Sequence, residues 1–207
     1  MAKETNTAHE RRYTTSPVRF MRAAGDESKS SEIEGIAAMV NNETEIGSYD
    51  PWIEVIEPGA FDDVLADDVR ALFNHDENMI LARTTSKTLS LFLTPEGHLG
   101  FKYTTPNRQY ALDLEDAIKT GDVNQCSFSF QIKEQRWIWG DRSKGEKDRR
   151  SIVKLGKLYD VSPVTFPAYP DTTLAARSRD EAKITERPDV SSDIEILEKG
   201  LNLKSKL

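Results

Sequence analysis

The sequence predicts a β-rich α+β domain or a β-barrel made of short strands. Between Val18 and Val164, most apolar segments are short and alternate with polar residues, which is typical of half-buried strands. Only two or three segments have helical periodicity, and the chain contains no internal repeat. Many short strands with few helices favour these two architectures.

The first elements are predicted from short alternating segments. "VRFM" (18–21) and "EIEGIAAMV" (32–40) read as strands, and Gly35 inside the second indicates a β-bulge. "WIEVI" reads as a further strand. The Pro58-Gly59 turn follows it, and a short helix is predicted over residues 60–65.

The middle of the chain predicts a strand and a hairpin. "DVRALFNHD" alternates so that one face of a strand carries Val69, Ala71, Phe73 and His75. "KTLSLFL" and "HLGFKYTT" alternate on either side of the turn sequence "TPEG", which predicts a β-hairpin.

One helix is predicted clearly. Thr105 can cap it, Pro106 suits its first turn and Gly121 ends it. An apolar stripe between these limits is formed by Tyr110, Leu114, Ala117 and Ile118.

The last part of the domain predicts two strands, "CSFSFQI" and "SIVKLGKLYDVSPVTF", with "RWIW" and a charged loop between them. We expect a flexible N-terminal arm over residues 1–15 and the domain over residues 16–176. Residues 177–207 are expected to form a polar linker and a short helix that begins with a capping box, Ser192 and Glu195.

Composition limits the classes of partner and the cellular compartment that fit this chain. The net charge of −7 argues against a surface devoted to nucleic-acid phosphates. Cys126 is the single cysteine, so no disulfide can form within the chain, and a reducing compartment fits. Since no apolar run is long enough to span a membrane and the first residues do not resemble a signal peptide, we expect a cytoplasmic protein without membrane contact.

Three histidines are candidates for a general base. His9 lies in the polar N-terminal arm, where nothing is expected to hold it, and His98 lies in the hairpin turn. His75 is predicted at a strand end, where a side chain is fixed yet reachable, as a base requires. A partly buried structural histidine is the alternative.

Two serines lie within "CSFSFQI". Alternation places Cys126, Phe128, Phe130 and Ile132 on one face of the strand, and Ser127, Ser129 and Gln131 on the other. A serine hydroxyl needs a neighbouring base to act as a nucleophile. The alternative is that both serines form the polar face of an ordinary strand.

Asp160 interrupts the apolar strand "LYDVSPV". A buried carboxylate is costly unless it is paired, and a histidine N–H or an arginine would serve. Asp76 is a rival partner for His75, although neighbours on a strand point to opposite faces. Periodicity alone does not assemble Ser127, His75 and Asp160 into one site.

Five blocks of sequence, taken together and in order, resemble the prohead serine proteases of tailed bacteriophages, which share a fold with the herpesvirus assemblins. The resemblance covers about residues 31–176. It implies an assemblin-like, closed or partly closed β-barrel of mostly antiparallel strands with a few flanking helices. The blocks are "IEGIAAMVN", "EVIEPGAFDDVL", "VRALFNHDENMILAR", "DLEDAIKTGDVNQCSFSFQI" and "LYDVSPVTFPAYPDTTL".

The resemblance assigns roles residue by residue. The histidine of the family's Asn-His-Asp motif matches His75, as general base. The family's nucleophile, before the first phenylalanine of Ser-Phe-Gly-Phe, matches Ser127, while Ser129 stands where the family commonly has glycine. Asp160 takes the place of an acidic residue that is usually glutamate. Oxyanion donors are expected near Arg83 or in the loop after "RWIW".

The implied function is that of a serine endopeptidase of prohead maturation. It would cut scaffold, the scaffold segment of the major capsid protein, and itself, inside the assembling procapsid in the host cytoplasm. The implied partners are the major capsid protein and its scaffold segment. The resemblance leaves a homodimer open, and no nucleic acid, membrane or cofactor is expected.

Two other functions compete with this interpretation. One is a non-catalytic scaffold or assembly protein that keeps the protease fold. The other is a metal-dependent nuclease or phosphatase that uses the "HDE" run (75–77). One cysteine and three histidines without ligand spacing argue against a metal cluster.

Overall fold

The computed structural model describes residues 9–14, 18–21, 31–47 and 50–166. Two β-sheets dominate this part of the chain. The predictions for residues 177–207 lie outside the described residues.

A seven-stranded sheet carries most of the chain. Its main path runs β1, β10, β11, β5 and β4, while β6 pairs with β11 and with β7. Most pairs are antiparallel, but β5 and β6 each run parallel to β11. The strands of this sheet are β1 (His9–Thr14), β4 (Thr44–Ile46), β5 (Trp52–Ile56), β6 (Arg70–Leu72), β7 (Ile80–Arg83), β10 (Gln125–Ile138) and β11 (Arg149–Val164).

A four-stranded antiparallel sheet has the order β2, β3, β9, β8. The predicted hairpin is confirmed, because β8 and β9 pair antiparallel across the "TPEGH" turn. The strands are β2 (Val18–Met21), β3 (Glu32–Ala38), β8 (Leu89–Leu93) and β9 (Leu99–Thr104).

The β-rich prediction is confirmed, whereas a closed barrel is not found in the described residues. The large sheet nevertheless curls. The side chain of Arg12 on β1 contacts Glu54 on β5, although β10 and β11 lie between these two strands in the sheet.

The described residues contain one α-helix, α1 (Gln109–Thr120), and a 3-10 helix (Arg142–Lys144). The predicted end of α1 is confirmed, because Gly121 has a φ of 86°. The predicted start is wrong by about one turn: the backbone N–H of Thr105 donates to the carbonyl of Ser31 and prolongs the β3–β9 ladder.

Two other local predictions also differ from the structure. Residues 60–65 form successive turns rather than an α-helix, with bonds such as Val64 N–H to the Phe61 carbonyl. The irregularity in β3 lies between Ile36 and Ala38, not at Gly35. Instead, Gly35 is where the Phe101 ring approaches the backbone, since a Cβ there would lie 2.8 Å from the ring.

The main core lies between the two sheets and α1. It combines buried side chains of β3, β9, β10, β11 and α1 in one cluster. Within it, Phe128 stacks on Phe130 at 4.7 Å and meets Phe61 edge-on at 6.1 Å. These aromatic contacts fix β10, the strand that carries both candidate serines.

Candidate active site

His75 lies in a turn rather than at a strand end, so that part of the prediction is wrong. Strand β6 ends at Leu72, and both Asn74 and His75 have positive φ, 55° and 58°. The turn is attached to the end of β11, because Asn74 N–H donates to the Pro163 carbonyl at 3.0 Å and its Oδ1 accepts from Thr165 N–H at 2.9 Å. The turn therefore directs the imidazole toward the sheet.

Ser127 lies near the start of β10, opposite Ser162 on β11. Its neighbour Phe128 is buried in the main core, as alternation predicted. The serine side therefore faces away from the aromatic cluster, toward the turn that carries His75.

Asp160 lies on β11 and is 5% exposed. Its Oδ1 accepts two hydrogen bonds, one from Nδ1 of His75 at 2.6 Å and one from the hydroxyl of Ser162 at 2.6 Å. The sequence left histidine and arginine open as partners for this carboxylate, and the structure provides the histidine.

The imidazole of His75 bridges the other two groups. Its Nδ1 faces Asp160, and its Nε2 lies 2.7 Å from Oγ of Ser127. The side chains of His75 and Asp160 are each only 7% exposed. A hydroxyl, an imidazole and a carboxylate in this order can perform nucleophilic acyl transfer, because the ring can take the hydroxyl proton while the carboxylate stabilises the resulting imidazolium.

Ser129 contacts a different histidine. Its Oγ is hydrogen-bonded to Nε2 of His9. The His9 ring packs against the Tyr159 ring, with 4.3 Å between the ring centroids. The expectation that nothing holds His9 is therefore wrong. Burial, and then the charge of Arg11, lower the pKa of His9, so its ring is predominantly neutral at pH 7.

Residues 1–15 were expected to form a flexible arm, but of these His9–Thr14 form strand β1, and all six residues of β1 pair with β10. The hydroxyl of Ser127 lies within donating distance of the Arg12 carbonyl, at 2.9 Å. Ser127 has 0% exposure in this arrangement. The candidate nucleophile is therefore aligned with its base but covered.

The other candidates have different roles. Asp76 accepts from the backbone N–H and side-chain amide of Asn78, so it stabilises the turn. His98 accepts from the backbone of Val40. The backbone N–H of Arg83 donates to Thr88, and the loop after "RWIW" follows the far end of β10.

Ser162 and Arg12 were missed by the sequence analysis. Ser162 lies two residues after Asp160, so strand alternation already placed both on one face. For Arg12, no signal existed in the polar N-terminal sequence.

Within residues 9–14, 18–21, 31–47 and 50–166, no group of three or more His, Cys, Asp or Glu side chains is placed to hold a metal ion. In the described part of the chain, no helix combines the length and apolar character needed to span a bilayer.

The order of hydroxyl, imidazole and carboxylate around Ser127, His75 and Asp160 is a geometry that serine hydrolases use. A family model, that of the caudovirus prohead serine proteases, matches residues 19–187. The chain therefore belongs to the caudovirus prohead serine protease family, and this membership implies a serine protease of phage capsid maturation. A search of curated proteins and a search of solved structures each gave no significant match.

Proposed function

We propose that this protein is a serine endopeptidase that cleaves scaffold, or the scaffold segment of the major capsid protein, during prohead maturation. Ser127 is the nucleophile, His75 the general base and Asp160 the group that orients the imidazole. The observation that carries the proposal is the position of the His75 ring, with Nδ1 2.6 Å from Asp160 and Nε2 2.7 Å from Ser127.

The reaction follows from these distances. Nε2 of His75 takes the hydroxyl proton as Oγ of Ser127 attacks a peptide carbonyl carbon, and the imidazolium returns this proton to the leaving amine. The acyl-enzyme ester is then hydrolysed by water, which His75 deprotonates in turn. Asp160 orients the imidazole and stabilises the imidazolium.

The choice between Ser127 and Ser129 rests on their partners. Ser127 contacts His75, whose ring is paired with the carboxylate of Asp160. Ser129 contacts His9, whose ring packs on Tyr159. An activated serine needs a base whose charged form is stabilised, so Ser127 is the better candidate.

The test is co-expression with a capsid precursor that carries its scaffold segment. Wild type should cleave the precursor, and Ser127→Ala should reduce cleavage by about 10⁴-fold or more. Ser129→Ala is the matched control: it removes a hydroxyl from the same strand and face, and it should keep cleavage. Cleavage by Ser127→Ala at the wild-type rate would reject the assignment.

A non-catalytic assembly protein is the competing function, and the complete burial of Ser127 favours it. The same co-expression separates the two functions. A non-catalytic protein would leave the precursor intact in wild type and in both serine variants.

Cleavage of the chain itself is also part of the proposal. The charged sequence from about Arg177 onward is poor in large apolar residues, a composition common at cleavable sites. Mass spectrometry of expressed wild type and Ser127→Ala should show a shortened C-terminus in the wild type only. An intact C-terminus in wild-type protein that cleaves the precursor would reject self-cleavage there.

A further inference from the structure

Strand β1 lies along the edge of β10 beside Ser127. It pairs antiparallel with β10, with Arg12 opposite Phe128 and Tyr13 opposite Ser127. Pairing of an extended peptide with a sheet edge is a common way of binding peptides. While β1 occupies this edge of β10, a second strand cannot pair there, and Ser127 remains fully buried.

The backbone of β1 also competes for the proton that the reaction uses. The hydroxyl of Ser127 has one proton, and two acceptors are within reach: Nε2 of His75 at 2.7 Å and the Arg12 carbonyl at 2.9 Å. When the proton points to Arg12, it is unavailable to the base. Strand β1 thus opposes catalysis by covering the serine and by binding its hydroxyl.

Four buried charges hold β1 in place. Arg12 donates to Glu54 at 2.5 and 2.8 Å and to Glu10 at 2.6 Å. Arg150 donates to Glu10 at 2.8 and 2.9 Å and to Glu54 at 3.0 Å. Two of these residues, Glu10 and Arg12, belong to β1, and the other two face each other on β5 and β11.

When β1 leaves, one positive and one negative charge leave with it, and one of each stays on β5 and β11. Glu10 and Arg12 are already paired with each other, and so are Glu54 and Arg150. Removing one partner from a buried ion pair is strongly unfavourable because it leaves an uncompensated charge. Release of the whole strand avoids this, since each half is neutral. The network therefore fixes the position of β1 while permitting its removal.

We infer that β1 occupies the place of a substrate strand. When β1 leaves, the edge of β10 beside Ser127 is exposed and binds an extended peptide with an acidic residue two positions before a basic one. In this arrangement Arg150 reads the acidic side chain, and Glu54 reads the basic one, as they now do with Glu10 and Arg12. The inference rests on the proposed function. Residues 9–14 lie outside the stretch matched by the family model, 19–187.

The first test measures how fast a fluorophosphonate probe labels Ser127 in the full chain. Arg12→Ala leaves Glu10, Glu54 and Arg150 with one excess negative charge when β1 is docked, but a neutral Glu54–Arg150 pair when it is released. Labelling should therefore become at least about tenfold faster than in wild type. Arg11→Ala is the matched control: its side chain is exposed on the same strand, and labelling should stay within about twofold.

The second test fixes the strand instead. His9 and Gln131 are opposite each other across the β1–β10 pair, a spacing that a disulfide can span. In His9→Cys/Gln131→Cys, oxidation should slow labelling at least about tenfold relative to the reduced form, and a reductant should restore the rate. Burial raises the pKa of the Cys126 thiol, which keeps the native cysteine out of exchange.

The third test supplies the strand in trans. A peptide with the sequence of residues 8–14, Ala-His-Glu-Arg-Arg-Tyr-Thr, should slow labelling of Arg12→Ala. The isomer with its glutamate and second arginine exchanged should require at least about tenfold more peptide for the same effect. Equal protection by both peptides would overturn the inference that Arg150 and Glu54 recognise the acidic and the basic side chain of the peptide.

The outcomes separate this inference from the proposed function. Equal labelling of wild type, Arg12→Ala and both redox forms, with none in Ser127→Ala, would overturn the inference and leave the protease function intact. No labelling of folded Arg12→Ala would reject Ser127 as an activated nucleophile and, with it, both proposals.

Discussion

The hydroxyl of Ser162 donates a hydrogen bond to Oδ1 of Asp160, the same oxygen that accepts from Nδ1 of His75. Ser162 also lies directly opposite Ser127 on the paired strand. Ser162 therefore holds the carboxylate in place from the strand that pairs with β10. This contact makes Ser162 a positioning residue for the proposed reaction.

Ser162→Ala should lower kcat by about tenfold with little change in KM, because the carboxylate loses one of two bonds that orient it. Ser162→Thr keeps the hydroxyl and should recover part of the rate. Steady-state kinetics on a scaffold peptide provide the measurement. A parallel loss of stability without the kcat effect would indicate a structural role only.

Asp160→Asn should reduce kcat by about 10⁴-fold while the fold is kept, because the amide cannot stabilise an imidazolium and favours the wrong tautomer of His75. Asp76→Asn, in the turn beside His75, is the matched control and should change kcat far less. Comparable losses in the two variants would contradict the role given to Asp160.

Asn74→Ala should reduce activity by loosening the turn that positions His75. Alanine at a φ of 55° costs about 1 kcal/mol, and the bonds to Thr165 are lost as well. Asn41 has a φ of 56° in another turn, so Asn41→Ala carries the same backbone cost away from the site. Urea unfolding should show destabilisation in both variants, whereas kcat should fall only in Asn74→Ala.

Arg150→Met should destabilise the fold by about 3–5 kcal/mol, because Glu10 and Glu54 both lose the buried guanidinium that donates to them. Arg136 pairs with Glu57 at the surface, where such pairs contribute about 1 kcal/mol or less. Arg136→Met is therefore the control, and urea unfolding of both variants is the measurement. Equal effects would show that the network is not a buried charge cluster in solution.

Acid should weaken the docking of β1 through Glu10. Burial alone would raise the pKa of Glu10, but the guanidinium groups of Arg12 and Arg150 outweigh it and lower the pKa to about 2, from 4.5. A depressed pKa stabilises the fold above the unfolded value and loses this contribution as pH falls from about 4.5 toward 2. The loss by pH 3 should reach about 2 kcal/mol.

Urea unfolding of wild type between pH 6 and pH 3 measures this loss. In Glu10→Gln the residue at position 10 no longer titrates. Between pH 6 and pH 3 the free energy of unfolding of this variant should therefore fall by about 2 kcal/mol less than that of wild type. Identical pH dependence in the two proteins would show that Glu10 is not paired as described.

Alternation predicted the hairpin β8–β9 and the two faces of β10, and Gly121 predicted the end of α1, because each depends on residues close together in the chain. The start of α1 could not be predicted in this way. Thr105 is a good cap locally, but its N–H is used by the distant Ser31 carbonyl. For the candidate site, periodicity and the family resemblance supplied Ser127, His75 and Asp160 as residues, but not their distances.

What the sequence determined by itself was a β-rich chain, the strands that carry Ser127 and Asp160, and the family to which their motifs point. The strands follow from local spacing, since side chains alternate along any strand, and the family follows from the resemblance of five sequence blocks. The tertiary structure alone decided that a positive-φ turn aims His75 at both groups and that β1 lies over the serine. Both depend on hydrogen bonds and buried charges between residues far apart in the chain, which form only when the sheet curls and brings them together.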